Sequence, residues 1–372
     1  MDNVTHSLIG LLLARAAGRH VGSLRGAIWA AVLASNLPDA DIVLGPFFED
    51  RKLGYLVQHR GYTHTVVGAL ALAGLATWIA ARRDPAARRG PLLGLALVAA
   101  ALHVGADGWN NYGIHPFWPL DPDWWYGDSV FIVEPLLWAA LLPLLWVHGR
   151  VGRWLWGAAL TFLTVVSGVM LGPVTAGGVL AFTLALTWAQ AARPGVLVPG
   201  VTSIVVLTTF IAGGRFAREA LQAPNTVDIA LTPRPAAPWC WDGLRTTLDG
   251  DTYAVTSVRV SLLDRVQPED CGLRLSPERT APVHGEWRTE GHIATGPAFV
   301  GSVTELRALV AKSCRADSVM RFARAPFWTD RVIGDLRYDF EPELGFAEAE
   351  LGSEGCVDAP WRSKVARKLL GE

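Results

Sequence analysis

Charge is scarce in this chain of 372 residues. Asp, Glu, Lys and Arg make up 18 % of it, against about a quarter in an ordinary soluble domain. Neither sign dominates, the formal net charge being −1, so the basic footprint of a nucleic-acid partner is missing and no such partner is expected. The first residues lack the basic start of a signal peptide: Met1, Asp2 and Asn3 come first, and Arg15, Arg19 and Arg25 follow. This order implies an uncleaved first helix with its N-terminus outside. No cysteine precedes Cys240, which excludes thiolate ligands and thiol nucleophiles from more than half of the chain.

What the chain has instead is apolar length. Hydrophobic residues make up 51 %, sixteen residues are tryptophan, and the mean hydropathy is +0.28. Tryptophan gathers where membrane meets water. Eight apolar segments stand at residues 4–18, 24–38, 65–81, 91–108, 130–148, 153–171, 174–192 and 196–214. Spanning a bilayer takes about 20 residues. The last six segments reach or approach that length, and the first two are short enough to form a helical pair that enters without a full crossing.

Arginines punctuate alternate connections. Arg15, Arg19 and Arg25 follow the first segment; Arg82, Arg83, Arg88 and Arg89 the third; Arg150 and Arg153 the fifth; Arg193 the seventh. A simple topology puts them all on one face, which the positive-inside rule makes cytoplasmic. Both termini then lie outside. Arg215 and Arg218 follow the eighth segment on the opposite face.

The chain turns polar at Gly213–Arg218. The expected organisation is an all-α polytopic membrane domain of about eight apolar helices at 1–214, followed by a small α+β extracytoplasmic domain at 215–372. Cys240, Cys271, Cys314 and Cys356 all fall in the second part. An even number there predicts two disulfides, with three pairings open. Stretches 252–263 and 331–340 read as strands from their β-branched and aromatic content. Stretch 302–313 reads as a helix opened by a capping box, Ser302 to Glu305. No catalytic signature is visible in the tail, and its His284 and His292 read as surface residues.

On this topology the ionisable residues collect at one depth on the outer face. His6 opens the first segment. Asp39 and Asp41 follow the second, His59 and His64 precede the third, His103 and Asp107 close the fourth, and Glu134 stands near the start of the fifth. Ionisable groups at membrane depth are expensive and usually pair, face water or bind an ion. His103 and Asp107 are four residues apart, which on a helix puts both on one face. Thr63 reads as the N-cap of a helix carrying His64 in its first turn, where the dipole favours neutral imidazole. An extended Pro38-Asp39-Ala40-Asp41 would point its two carboxylates opposite ways, one to a metal and the other to a histidine or a proton.

Three histidines (His6, His64, His103) with Asp39 and Asp107 make a nitrogen and oxygen ligand set. It suits zinc first, with manganese or iron as alternatives, in preference to calcium. The candidate ligands exceed the needs of one tetrahedral site, which leaves room for a two-metal centre with Asp107 as the bridge. Asp41, His59 and Glu134 are the acid, base or orienting candidates. Arg60, His115 and Asp128 are the substrate-binding candidates, Arg60 also being suited to pairing with a lipid headgroup or a carboxylate. Loop 109–129, rich in Trp and Pro, reads equally as an apolar lid or an interfacial belt. His20 and His148 read as structural. Transport would need polar groups deeper in the helices, and Thr161, Thr164 and Ser167, the best available, are accounted for by helix packing.

MDNVTHSLIG, SNLPDADIV, HRGYTHTVV, LHVGADGWNNYG, and PFWP followed by SVFIVEPLL resemble, in this order, the YdjM-like family of membrane-bound metal-dependent hydrolases. The resemblance spans residues 1 to about 137, with the later helices alike only in character. Glu134-Pro135 stands where the family has Asp-Pro, and Asn111 where it tends to have Thr or Ser. Some members are described as associated with the repressor LexA, an association that nothing in these residues extends to this chain. A looser likeness, to zinc-dependent phospholipases C and related nucleases, implies His6, Asp39, His64, His103 and Asp107 as ligands. The function implied is hydrolysis of a phosphoester, lipid or lipid-linked, by metal-activated water at the outer face of the inner membrane. Membrane lipids are the expected partners. The alternative is a non-catalytic membrane protein with a structural metal and a C-terminal binding domain.

Overall fold

A computed structural model describes residues 1–147, 149–272, 280–340 and 344–372; His148 lies outside them. The first helices are α1 (Asn3–Val21), α2 (Leu24–Ala34), α3 (Arg51–Gln58), α4 (Val66–Arg83) and α5 (Arg89–Asp107). Then come α6 (Pro135–Leu141), α7 (Pro143–Trp146), α8 (Gly149–Leu171), α9 (Pro173–Ala192) and α10 (Leu197–Ala220). Five of these, α4, α5, α8, α9 and α10, are long and apolar enough to cross a membrane.

The Asp2 carboxylate caps α1 by accepting from Val4 and Thr5 N–H, and Gly22 closes it at φ +82°, a conformation that favours glycine. At 19 residues, α1 is about 28 Å long. Its end meets the connection between α4 and α5, where Arg88 N–H donates to the Val21 carbonyl at 2.8 Å and the Ser23 hydroxyl to Asp84. The α1–α2 pair therefore reaches the depth of the arginine-rich connection despite the shortness of its apolar runs.

Small residues allow these helices to approach closely. Ala27, Ala30, Ala31 and Ala34 of α2, Ala73, Ala76 and Ala80 of α4, and Ala96 and Ala99 of α5 are all fully buried. A Cβ on Gly10 would meet the Ala31 backbone at 3.0 Å, so α1 can lie this near α2 only with glycine there.

The fifth apolar segment is not one helix. Residues up to Glu134 are non-helical, and α6 gives way to α7 at Pro143, whose ring cannot donate to the preceding turn. The last helix runs past the expected boundary to Ala220. It takes Arg218 with it, whose guanidinium donates to Asp128 and to the Ile229 carbonyl. That pairing accounts for an arginine on the opposite face from the others.

The α+β region follows. Strands β1 (Thr226–Arg234), β2 (Ala237–Asp249), β3 (Thr252–Ser261), β4 (Arg288–Glu290) and β5 (Ile293–Ser302) form an antiparallel sheet in the order β1-β2-β3-β5-β4. Helices α11 (Val303–Lys312) and α12 (Cys314–Phe322) come next. Strands β6 (Pro326–Trp328), β7 (Val332–Asp335) and β8 (Glu348–Glu350) form a second antiparallel sheet, and α13 (Lys364–Leu370) ends the fold. The expected strand at 331–340 is shorter than its composition suggested: β7 gives way to a 3-10 turn at Leu336–Tyr338, which Asp335 caps by accepting from Arg337 N–H. Ser302 caps α11 by accepting from Glu305 N–H. His284 and His292 are exposed.

Of the three possible pairings the disulfides are Cys240–Cys271 and Cys314–Cys356, closing loops of 31 and 42 residues. On loop-entropy grounds each stabilises by about 3–4 kcal/mol. The two regions share a core: Leu53, Leu56 and Val57 of α3 pack with Phe322, Phe327 and Trp361. Short amphipathic α3 thus anchors the α+β region onto the helical one, just before the sequence HRGYTH.

Candidate metal centre

Four separate segments deliver ligand-type side chains to one buried spot. His6 comes from the first turn of α1, Asp39 from a 3-10 turn at Leu37–Phe47, His64 from a 3-10 turn at Tyr62–His64, and His103 and Asp107 from the last turns of α5. All five residues are 6 % exposed or less. His6, Asp39, His103 and Asp107 offer one ligand atom each within 4.8 Å of one another. His64 Nε2 adds a fifth, at 3.0 Å from Asp107 Oδ2, 3.4 Å from Asp39 Oδ1 and 3.1 Å from His103 Nε2.

The hydrogen bonds around the cluster suit a cation. His103 Nδ1 lies 2.7 Å from the Ser35 carbonyl, which can only accept, so that nitrogen carries a proton. In the neutral ring, Nε2 is then a bare lone pair facing Asp107 Oδ2 at 3.3 Å and Asp39 Oδ1 at 3.6 Å. A carbonyl on one ring nitrogen and a convergent space on the other is the arrangement of a metal-binding histidine. His6 Nε2 is buried without a hydrogen-bond partner, its ring against that of His103 at 3.9 Å. The residues present fit a divalent cation.

Asp107 divides its oxygens. Oδ2 faces His64 and His103; Oδ1 faces His6 at 3.4 Å and accepts from Arg60 Nη2 at 2.9 Å and from the Met1 ammonium. Asp41 stands beside the cluster and organises the loop. Its Oδ1 pairs with His59 Nδ1 at 2.9 Å, and its Oδ2 accepts from Arg60 N–H and the Thr63 hydroxyl, both at 2.9 Å.

The local structure here differs from the sequence expectation in two ways. Residues 37–41 are 3-10 rather than extended, so both aspartates flank one imidazole, with His64 Nδ1 3.7 Å from Asp41 and Nε2 3.4 Å from Asp39. The N-cap of α4 is Thr65, accepting from Gly68 N–H, not Thr63. His64 therefore precedes the helix and takes nothing from its first turn. Burial alone would lower its pKa, but the carboxylates of Asp107 and Asp39 outweigh burial and raise it above the ordinary histidine value. Burial works to raise the pKa of Asp39, yet the hydrogen bond with His64 carries it below the usual carboxylate value.

Arg60 is held at φ +60°. Its Nη1 donates to the Asn110 side chain at 3.0 Å and to the Asp107 carbonyl, and its guanidinium lies over Tyr112. With a carboxylate already on Nη2, Arg60 braces Asp107. A Cβ on Gly61 would meet the Gln58 carbonyl at 2.5 Å and the Trp361 ring at 3.2 Å, so this turn needs glycine.

The remaining predicted site residues sit elsewhere. His115 is buried between Trp361, stacked at 3.9 Å, and the edge of Trp124. Burial, with the His64 charge adding to it, brings its pKa down to about 3. It stays neutral and acts as an aromatic wedge. Asp128 is engaged by Arg324 and Arg218. Glu134 caps α6, accepting from Leu136 N–H at 3.0 Å and Ala236 N–H at 3.1 Å. Among the described residues, none of the side-chain hydrogen bonds of Asp128 or Glu134 reaches the cluster.

Sequence reasoning missed Ser35, Asn110, Tyr112 and Trp361. Ser35 acts through its backbone, which no side-chain pattern reveals. Asn110 is visible in GWNNYG but carries no charge to mark it.

Burial pushes the Glu134 carboxyl up to about 8, two backbone donors only partly opposing it. The folded protein then keeps a proton that the unfolded chain releases near 4.5. This group's contribution to stability therefore falls as pH rises between those values, by about 1 kcal/mol per unit. Glu134→Gln is expected to flatten that part of the profile, as read by thermal denaturation from pH 5 to 8. An unchanged slope would show that Glu134 is ionised in the folded protein.

A helical membrane region carrying a buried His/Asp cluster, joined to a disulfide-bonded α+β region, defines the class of protein. Residues 1–174 match the model of the YdjM inner membrane protein family. The matched residues contain every member of the cluster. No curated protein and no solved structure matches the chain.

Proposed function

We propose that this protein is a metal-dependent phosphoester hydrolase of the inner membrane, with its cluster and α+β region on the extracytoplasmic side. The observation that carries the metal reading is His103 Nε2, turned into the cluster by the Ser35 carbonyl on Nδ1 and converging with two carboxylates and His64 Nε2. His6, Asp39, His64, His103 and Asp107 would hold the ion, zinc being the first choice for such a nitrogen and oxygen set. A divalent cation supplies Lewis acidity and lowers the pKa of water. Arg60 fixes Asp107 and carries positive charge beside it. The His59–Asp41 pair stands next to His64 and is the candidate proton carrier. The disulfides support the extracytoplasmic assignment, since such bonds persist in oxidising compartments.

The test is turnover by the purified full chain on a panel of phospholipids and prenyl diphosphates, with and without chelator. Chelator-sensitive release of a phosphorylated product, restored by zinc or manganese, is expected. No metal-dependent turnover across the panel would remove the hydrolase reading.

A second reading is a structural metal in a non-catalytic protein. The burial of all five cluster residues favours it, and it predicts metal binding and metal-dependent stability without turnover.

A further inference from the structure

An apolar cavity of about 670 Å³ opens between α8, the stretch 130–133, and the β1–β2 turn of the α+β region. Its volume is within the range of small-molecule sites, about 300–1,000 Å³. The ligand cluster does not line it, but Asp2 and Asn110 do. Asp2 adjoins Met1, whose ammonium contacts Asp107, and Asn110 accepts from Arg60, which also holds Asp107. Cavity and cluster are therefore two sides of one wall.

Three observations identify what fits. Phe162 and Met170 of α8 line the cavity while remaining 55 % and 50 % exposed, so its apolar wall continues onto the bilayer-facing surface of a spanning helix. Ser167, on the same helix, lines the cavity at 1 % exposure with no partner for its hydroxyl. Thr161 and Thr164 donate to carbonyls one turn back, so helix packing accounts for them but not for Ser167. A buried hydroxyl without a partner calls for an acceptor from outside the chain. Finally, the cavity has a polar wall: Asn111 donates to Thr232 at 2.6 Å, two residues before Arg234. Arg234 donates to the Asp270 carbonyl and has no carboxylate partner among the described residues.

We propose that the cavity takes an ester-linked acyl chain of a glycerophospholipid. Ser167 donates to an ester carbonyl, and the phosphate lies at the wall of Asn110, Asn111 and Arg234, beside the cluster. That this lipid is also the substrate rests on the hydrolase reading; its binding does not.

The test is native mass spectrometry of the full chain in detergent, titrated with phosphatidylglycerol and with its dialkyl ether analogue. Wild type is expected to bind the ester lipid more tightly than the ether, and His103→Ala to bind it as wild type does while hydrolysing none. Ser167→Ala should erase the ester preference. Ser167→Trp, and Met170→Trp at the more tolerant rim, should weaken binding about tenfold or more by occupying space for methylenes. No saturable binding by wild type, or binding unchanged in a folded Trp variant, would overturn the proposal. Binding without any turnover would leave the cavity assigned and remove the hydrolase.

Discussion

Arg324→Met is expected to destabilise the protein by about 3–5 kcal/mol. Arg324 lies just after α12 with its side chain 4 % exposed. Its Nη1 and Nη2 donate to the two Asp128 oxygens at 2.7 and 2.8 Å, its Nε to Asp228, and Nη2 also to the Ile229 carbonyl at 3.0 Å. The guanidinium joins three parts of the chain: loop 109–129, strand β1 and the α12–β6 connection. Removing it leaves Asp128, 1 % exposed, with half-buried Arg218 as its remaining side-chain partner among the described residues. The penalty comes from an uncompensated buried charge and exceeds what the intact pair contributes. The control is Arg331→Met, whose guanidinium is 79 % exposed beside Glu350 at 3.6 Å; such pairs contribute about 0–1 kcal/mol. Chemical denaturation in detergent reads both. Equal effects would show that the Arg324 network is not the joint described.

His103→Ala and Asp107→Ala are both expected to abolish tight metal binding, with different structural consequences. His103 presents one nitrogen to the cluster and one to the Ser35 carbonyl, so alanine removes a ligand and leaves one carbonyl to be solvated. Asp107 presents one oxygen to two histidines and the other to Arg60 and the Met1 ammonium. Alanine there removes a ligand and also leaves a guanidinium, 4 % exposed, without its carboxylate. Asp107→Ala should therefore lose about 3 kcal/mol or more of stability beyond the metal contribution. For His103→Ala the loss should be close to what wild type shows on treatment with chelator. Losing an orienting partner of a ligand already weakens metal affinity about 10–100-fold, so losing the ligand should weaken it further.

The site was more legible than the packing around it. Histidines and aspartates in an apolar background carry a high desolvation penalty, so His6, Asp39, His103 and Asp107 were conspicuous. A helix period was enough to pair the last two. Apolar runs located the helices because a span needs nearly continuous hydrophobicity. The break at Pro143 was hidden because the flanking residues are as apolar as any span. Short α3, amphipathic rather than apolar, left no comparable mark. The 3-10 turn at Asp39 escaped because PDAD reads equally well as extended chain. Least legible was the closure of the site from the far end of the sequence. Trp361 donates to the Val57 carbonyl at 2.9 Å and stacks on His115. It holds the His59–His64 turn from 300 residues away, and no local pattern encodes a contact of that range.

Metal binding by the five-residue cluster underlies the proposed function. It is tested by the metal content of the purified full chain, measured by elemental mass spectrometry after loading with zinc or manganese and gel filtration. Wild type should retain at least about one equivalent per chain. His103→Ala, folded by circular dichroism, should retain essentially none, and chelator should lower the denaturation temperature of wild type but not of the variant. A wild type that stays metal-free under loading, or a His103→Ala protein that holds as much metal as wild type, would rule out a metal centre at this cluster.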